Sequence, residues 1–284
     1  QPKKWFDQFD VVIGDEAHLF KAQSLTKILT KLEGCKYRYG FTGTLDETKT
    51  HRLVLEGLFG PVMRAVQTKE LIENKTLADF RIKCLVLKYP DNVRKDLAKS
   101  TYQDEIQFLI ASDQRNNFIK NLALGRTGNT LLLFQMVEKH GRILYNIINS
   151  EAKDRKVFFV HGGVDAETRE DIRAITEKEN DAIIVASYGT FSTGINIKAL
   201  HNIIFASPTK SRIRNLQSIG RGLRRSETKT TATLYDISDD LCWKTYNNHT
   251  LKHFAYRLKI YKEEEFPFTI YNIRLNYDPH TEII

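Results

Sequence analysis

Two adjacent carboxylates and a histidine follow the first apolar run of the chain. The run Val11–Gly14 stops at Asp15 and Glu16, and His18 comes two residues later. A brief apolar run that gives way to charge and then to a helical pattern predicts a buried parallel strand that feeds a helix. Since ligands of open α/β sheets bind at the carboxyl ends of such strands, we expect Asp15 and Glu16 to face a ligand.

This pair has the residue types that nucleoside triphosphate hydrolysis requires. Asp15 could hold a Mg²⁺ ion that bridges two phosphates, and Glu16 could polarise the attacking water. An alternative is that both acids merely favour the positive end of the following helix. The four residues alone do not separate these interpretations, because motifs of this length occur by chance.

Three further segments favour the first interpretation. They are the turn Thr42-Gly43-Thr44, the hydroxyl-rich loop at 186–196 and the arginine-rich segment at 217–225. With the Asp-Glu-Ala-His segment, and in this order, they resemble motifs II, III, V and VI of the superfamily 2 helicases. The resemblance covers nearly the whole chain, and the ordered set is more specific than any single motif.

The resemblance implies that ATP and Mg²⁺ are the cofactors and that ATP lies between two RecA-like domains. Asp15 would hold the Mg²⁺ ion, Glu16 would activate water, and His18 would belong to the same catalytic centre. The segment Thr42-Gly43-Thr44 would couple the two domains.

Motifs V and VI would supply the rest of the nucleotide site. Gly194 would let the backbone approach the ligand closely, and Asn196 stands where many relatives have an Asp near the ribose. Arg221 and Arg224 would be arginine fingers, since a guanidinium forks onto phosphate oxygens and neutralises developing charge. Gln217 would reach the nucleotide site or His18; alternatively it is a solvated helix residue.

The resemblance also implies contacts with a nucleic-acid backbone. The candidates follow strands or lie in the motif V loop: Phe134, Gln135, His161, Gly162, Thr190, Ser192 and Thr193. For His161, a hydrogen bond within a turn is an equal alternative. Contacts to phosphate carry no sequence information, so we expect sequence-independent binding. The resemblance implies that the partner is single-stranded and branched DNA. Ser218 and Leu223 depart from the residues of many RNA-acting members, which favours DNA.

The charge of the chain agrees with a polyanionic partner, although a mild basic excess also occurs in proteins that bind none. The formal net charge is +8, and seven basic residues against one acid lie between Thr209 and Lys229. Such a block needs an anion or faces water. The three cysteines lack C-x-x-C spacing, and no run reaches membrane-spanning length. We expect a soluble cytoplasmic protein without zinc or disulfides.

Strand–helix alternation predicts an α/β protein with a parallel, doubly wound sheet, and the resemblance implies that its parallel sheets are RecA-like. We expect a partial first RecA-like domain at 1–80, a complete second one at 81–238, and a helical extension at 239–284 with a final strand. A third strand of the first domain is predicted at 62–66. In the extension, apolar residues at helical spacing indicate core packing, with a DNA-stacking platform as the alternative.

No G-x-x-x-x-G-K-[ST] loop occurs in the sequence. We therefore expect these residues to be the later part of a longer motor and to lack ATPase activity by themselves. The hypotheses are an ATP-driven DNA helicase or translocase, a non-catalytic DNA-binding fragment, and an RNA-acting helicase. A small-molecule α/β enzyme is a further alternative, but it would not explain the arginine-rich block.

Overall fold

The computed structural model describes residues 3–43, 45, 49–63, 65, 68–190, 197, 199–207, 209–211, 216, 218–220 and 230–275. The chain forms two compact units, Gln1–Val66 and Gln67–Ile284. This division lies before the boundary at residue 80 that the sequence suggested. The residues 239–284 belong to the second unit.

The first unit is built on two parallel strands, β1 (Val11–Gly14) and β2 (Tyr37–Gly40). A 3₁₀ turn at Ala17–Lys21 follows β1, and the helices of this unit are α1 (Lys3–Phe6), α2 (Gln23–Lys31) and α3 (Lys49–Phe59). The strand predicted at 62–66 is wrong for the described residues of that segment, which pair with neither strand.

Phe59 of α3 packs across the carboxyl ends of both strands. A Cβ atom at Gly14 would lie 2.8 Å from the Phe59 ring, and one at Gly40 would lie 2.9 Å from it. Both glycines therefore permit a close approach that any larger residue would block. Phe20, from the turn after β1, meets the Phe59 ring edge-on at 5.2 Å. This packing fixes the backbone at the end of β1, where Asp15 and Glu16 follow.

The second unit contains a seven-stranded, all-parallel sheet in the order β5-β6-β4-β7-β8-β3-β9. Its strands are β3 (Asp79–Lys88), β4 (Thr130–Phe134), β5 (Val157–Val160), β6 (Ile183–Ser187), β7 (Asn202–Phe205), β8 (Thr231–Asp240) and β9 (Phe268–Arg274). Its helices are α4 (Thr68–Glu73), α5 (Asp91–Asp96), α6 (Tyr102–Ala111), α7 (Asp113–Leu124), α8 (Arg142–Glu151), α9 (Ala166–Lys178) and α10 (His249–Glu263), and a π-helical turn at Val137–Gly141 precedes α8.

The central strands are buried on both faces, as their near-continuous apolar runs predict for a parallel sheet. Every residue of β4, β6 and β7 is buried. Successive residues of β4 serve opposite cores: Leu131 and Leu133 belong to one apolar cluster, and Leu132 and Phe134 to the other. The α/β parallel sheet predicted for this part of the chain is confirmed.

Two buried charges attach α10 to helix α6 and to the sheet. The Glu105 carboxylate of α6 accepts hydrogen bonds from the backbone N–H groups of His249 and Thr250 at 2.8 and 2.7 Å, at the start of α10. Further along α10, Arg257 forks onto Asp236 of β8 at 2.8 and 2.7 Å. These contacts make α10 part of the second unit.

The apolar face of α10 packs into the core of the sheet. Phe254 and Tyr261 are buried in one apolar cluster, and Leu251 and Leu258 pack against that cluster. The core interpretation of this stripe is confirmed, and β9 provides the final strand.

Candidate nucleotide and nucleic-acid site

Asp15 and Glu16 form a tight turn at the carboxyl end of β1. The backbone N–H of Glu16 donates to Asp15 Oδ1 at 2.8 Å. Glu16 has φ +48° and ψ +48°, a left-handed conformation that is uncommon outside glycine. Strain of this kind persists where the surrounding structure enforces it, often at functional sites.

Backbone hydrogen bonds tie the turn to the exit of β2. The Phe41 N–H donates to the Gly14 carbonyl, and the Ala17 N–H donates to the Phe41 carbonyl, both at 2.8 Å. The chain therefore leaves both strands side by side.

His18 joins the carboxylate turn to the segment after β2. Its side chain is buried, and Nδ1 lies 2.9 Å from Thr42 Oγ1 and 3.2 Å from Glu16 Oε2. His18 thus orients the Glu16 side chain and links it to Thr42.

The carboxylates suit a cation that also takes ligands from a nucleotide. Asp15 and Glu16 are both exposed. Among the described residues, no group of three His, Cys, Asp or Glu side chains could hold a metal ion alone. Mg²⁺ is commonly bound by one or two carboxylates, several waters and substrate phosphates. The donor set fits Mg²⁺ in its nucleotide complex, and Asp15 could provide the protein ligand.

In the second unit, three adjacent strands end at one edge of the sheet. Val160 of β5 pairs with Ala186 of β6, which pairs with Leu133 of β4. The residues that follow these strands therefore lie in a row along the carboxyl edge. A Cβ atom at Gly162 would lie 4.0 Å from Thr190 Oγ1, so the β5 and β6 exits adjoin.

His161 and Thr190 both have structural partners in this row. His161 Nδ1 accepts a hydrogen bond from the Gly163 N–H at 3.1 Å, which is the turn interaction considered as its alternative role. Thr190 is buried, and Ser187 Oγ lies 2.9 Å from Thr190 Oγ1. Gly162 is exposed.

Phe134 is a core residue and not a surface contact. Its side chain is 0 % exposed and stacks on the Phe159 ring at a centroid distance of 5.7 Å. A Cβ atom at Gly141 would lie 2.4 Å from the ring, so the helix after β4 packs directly on it. The prediction that Phe134 contacts DNA is corrected accordingly. The exposed residue at this strand end is Gln135.

Comparisons with known proteins identify the family. A model of the helicase conserved C-terminal domain matches residues 113–226. The chain is 35% identical over 288 residues to the ATP-dependent DNA helicase UvsW of Enterobacteria phage T4, covering 97% of this chain and 57% of that protein. The crystal structure of T4 UvsW matches with a TM-score of 0.61 at 32% identity, covering 97% of this chain and 56% of that one. The chain belongs to the superfamily 2 helicases.

The fold of this helicase chain is RecA-like, as the UvsW match shows. S. cerevisiae Dbp5 bound to RNA and ADP BeF₃ matches with a TM-score of 0.56 at 14% identity, covering 93% of this chain and 59% of that one, which supports the fold alone. The chain spans about half the length of the curated relatives it matches. None of the described helices is long and apolar enough to cross a membrane.

Several helicase motif residues lie outside the described part of the structure. They are Thr44 of motif III, Ser192, Thr193, Gly194 and Asn196 of motif V, and Gln217, Arg221 and Arg224 of motif VI. Most of the basic block between Thr209 and Lys229 also lies there. The roles assigned to these residues remain predictions from the motifs.

The structure of this helicase chain also reveals a buried polar network that the sequence did not suggest. The Gln135 N–H donates to Ser207 Oγ at 3.2 Å, and Ser207 Oγ lies 3.2 Å from His140 Nδ1. His140 Nε2 lies 3.2 Å from Asn116 Oδ1. Because Asn116 Oδ1 can only accept, Nε2 carries the proton and Nδ1 accepts from the Ser207 hydroxyl.

His140 is held neutral within this network. Burial lowers its pKa to about 3, and the nearby charge of Arg115 adds to the effect. Ser207 could have been found from the sequence, because it follows an apolar strand as Gln135 does. His140 could not, because one histidine in a helical pattern is usually a surface or core residue without a special role.

Proposed function

We infer that these residues serve in an ATP-dependent DNA helicase or translocase that acts on branched DNA such as forks and recombination junctions. The observation that carries this proposal is the contact of His18 with both Glu16 and Thr42. It joins the water-activating carboxylate of motif II to motif III, so a change at the nucleotide can reach a second motif. The 35% identity to a DNA helicase supports DNA as the substrate.

In this mechanism Asp15 would hold the Mg²⁺ ion, and Glu16 would take up the proton of the attacking water. Mg²⁺ neutralises charge on the phosphates when bound. His18 keeps the Glu16 carboxylate in place from the side. Arg221 and Arg224 supply the positive charge that phosphoryl transfer requires.

DNA is held through its phosphates at the strand-end row that contains Gln135 and Gly162, and the motif assigns Ser192 and Thr193 to the same contact. Backbone N–H groups and hydroxyls at strand ends suit phosphate oxygens and do not read sequence. The glycine-rich phosphate loop would come from outside the 284 residues. We therefore expect no measurable DNA-stimulated ATPase from this chain alone.

The test compares nucleic acids of one base composition at low salt, using fluorescence anisotropy with the purified chain. We expect forked and single-stranded DNA to bind more tightly than blunt duplex, and permuted sequences to bind alike. A strong preference for RNA over the matched DNA strand would favour an RNA-acting helicase. Robust ATP turnover by the chain alone would contradict the requirement for an external phosphate loop.

A further inference from the structure

A cavity of about 240 Å³ opens at the carboxyl ends of β4 and β7. From β4 the chain continues to β5, towards one edge of the sheet. From β7 it continues to β8, towards the opposite edge. The crevice between β4 and β7 is therefore a topological switch point, where α/β sheets bind ligands. The α6 helix forms the opposite wall.

One buried cation in the wall of this cavity has an unused hydrogen-bond donor. Arg115 is 0 % exposed, and its Nε and Nη2 atoms fork onto the Asp239 carboxylate at 2.9 and 3.1 Å. Nη2 also donates to the Ala206 carbonyl at 2.8 Å. Nη1 is buried and has no hydrogen-bond partner among the described residues. Because Nη1 has almost no accessible surface, Arg115 supports the wall of the cavity and offers no direct contact to a ligand.

The cavity is electrically balanced and not cationic. Arg115 is the only charged side chain among the described residues that line it, and Asp239 neutralises it. Burial alone would lower the pKa of Arg115, but the Asp239 carboxylate raises it, so the guanidinium stays charged. His140, also in the lining, is neutral. The cavity therefore offers no net positive charge to a phosphate group. It suits a neutral ring that carries hydrogen-bonding atoms.

The remaining lining matches a flat heterocycle. Ile106, Ile110 and Met136 provide apolar walls, and Gln103, Gln107 and Gln135 add amide donors and acceptors. Unstacked bases are recognised by this combination of apolar contact and hydrogen bonds to their edges. The volume lies below the range of roughly 300–1,000 Å³ typical of drug-sized ligands, which suits one ring system without its phosphates.

We propose that this cavity takes one unpaired base of the bound DNA strand, with the amides of Gln103, Gln107 and Gln135 forming hydrogen bonds to its edge. Gln135 lies both in the cavity lining and in the strand-end row, so a backbone held on the row can turn a base inward. The inference rests on the proposed DNA binding. A base in the cavity would add a base-dependent contribution to a DNA affinity that otherwise comes from phosphate contacts.

The test uses two exposed positions on the same helix. Gln107 lines the cavity and Ala111 does not. Gln107→Trp should close the mouth, and Ala111→Trp is the matched control for a bulky aromatic residue on α6. Both positions are exposed, so neither change disturbs the core.

The probes are two single strands of equal length and charge, one with normal bases and one abasic throughout. We expect the wild-type chain and Ala111→Trp to bind the normal strand several-fold more tightly than the abasic one. Gln107→Trp should bind the two strands with nearly equal affinity. A 2-aminopurine strand should give a saturating fluorescence change with the control and not with Gln107→Trp.

The outcomes separate this inference from the proposed function. If the wild-type chain binds DNA but does not distinguish the two strands, the base cavity is wrong and phosphate binding stands. The same holds if both tryptophan variants lose base dependence equally. If the chain binds neither strand at low salt, the proposed function itself is contradicted.

Discussion

At the scale of the residue, His18 orients the side chain of Glu16 at the end of β1. The Glu16 carboxylate lies 3.2 Å from His18 Nδ1, and Thr42 Oγ1 lies 2.9 Å from the same atom. The carboxylate therefore keeps a fixed orientation although it is exposed to solvent. A fixed acceptor near the attacking water is what general-base catalysis needs.

Glu16→Gln tests this role in a polypeptide that joins these residues to a glycine-rich phosphate loop. The amide keeps the shape of the carboxylate and its place beside His18, but it cannot take up a proton. We expect ATP affinity to be unchanged and the hydrolysis rate to fall by roughly 10²- to 10⁴-fold, the usual contribution of a general base. Single-turnover hydrolysis and nucleotide titration measure the two quantities. Glu33→Gln, an exposed change in the same unit, is the control, and retained turnover in Glu16→Gln would refute the assignment.

The buried histidine of the second unit makes stability depend on pH. Burial and Arg115 lower the pKa of His140 to about 3 in the folded chain. An unfolded histidine titrates near pH 6.5, so below that value the unfolded state binds a proton that the folded state does not. Stability is therefore lost as the pH falls from about 6.5 towards 3.

We expect the free energy of unfolding of the wild-type chain to fall by about 1.4 kcal/mol more than that of His140→Gln between about pH 7.5 and about pH 5.5. Urea denaturation at the two pH values measures this difference. His161→Gln retains the buried His140 and should follow the wild type. An identical pH response of wild type and His140→Gln would contradict the buried neutral state.

At the scale of elements, α6 supplies the cap for a helix that is distant in sequence. Asn248, the residue before α10, makes no side-chain cap for its own helix, and its Nδ2 instead donates to Glu105 at 2.8 Å. The Thr250 hydroxyl also donates to the Glu105 carboxylate. Glu105 thus satisfies backbone donors that a helix start leaves open, and its charge favours the positive end of the helix.

Glu105→Ala should be among the most destabilising single changes in the second unit. It leaves the buried N–H and the hydroxyl of Thr250 without their acceptor, at about 1–3 kcal/mol each, so we expect a loss of about 3 kcal/mol or more. Asp104→Ala removes an exposed cap of α6 itself and should cost only about 1 kcal/mol. Chemical denaturation of both variants gives the comparison, and equal small losses would show that Glu105 does not hold α10.

The sequence predicts elements well where burial imposes a strong local pattern. The bounds of α6 and β4 follow from helical periodicity and from an unbroken apolar run. The strand predicted at 62–66 is wrong because strand identity depends on a neighbour, which local composition does not reveal.

The buried pair of Arg115 and Asp239 could not be predicted for a similar reason: a buried ion pair between distant segments has no periodic signal. Phe134 was misassigned because a strand-end position does not fix whether its side chain points to the core or to solvent.

At the scale of the molecule, the two units differ in how much apolar surface they bury. The described part of the first unit has one small core cluster, and Val11, Ile13, Tyr37 and Tyr39 of its two strands are exposed. The second unit has a large apolar cluster on each face of a seven-stranded sheet. The second unit also carries the strand-end row, so we expect it to account for most of the DNA binding of the chain.

The central claim is that DNA phosphates lie along the carboxyl edge of this sheet, and β4 offers a matched test of it. Gln135 is exposed at the carboxyl end of the strand, and Thr127 is exposed before its amino end. Gln135→Glu and Thr127→Glu each add one negative charge, so they differ only in the edge on which it lies.

The measurement is the dissociation constant of a labelled single strand, determined by anisotropy at several salt concentrations for the wild-type chain and both variants. We predict that wild-type affinity falls steeply with salt because counterions are released on binding. At low salt Gln135→Glu should weaken binding about fivefold, the equivalent of about 1 kcal/mol for one opposed charge, and Thr127→Glu should bind as the wild type does. Equal affinities for the two variants, or binding that does not change with salt, would contradict the account.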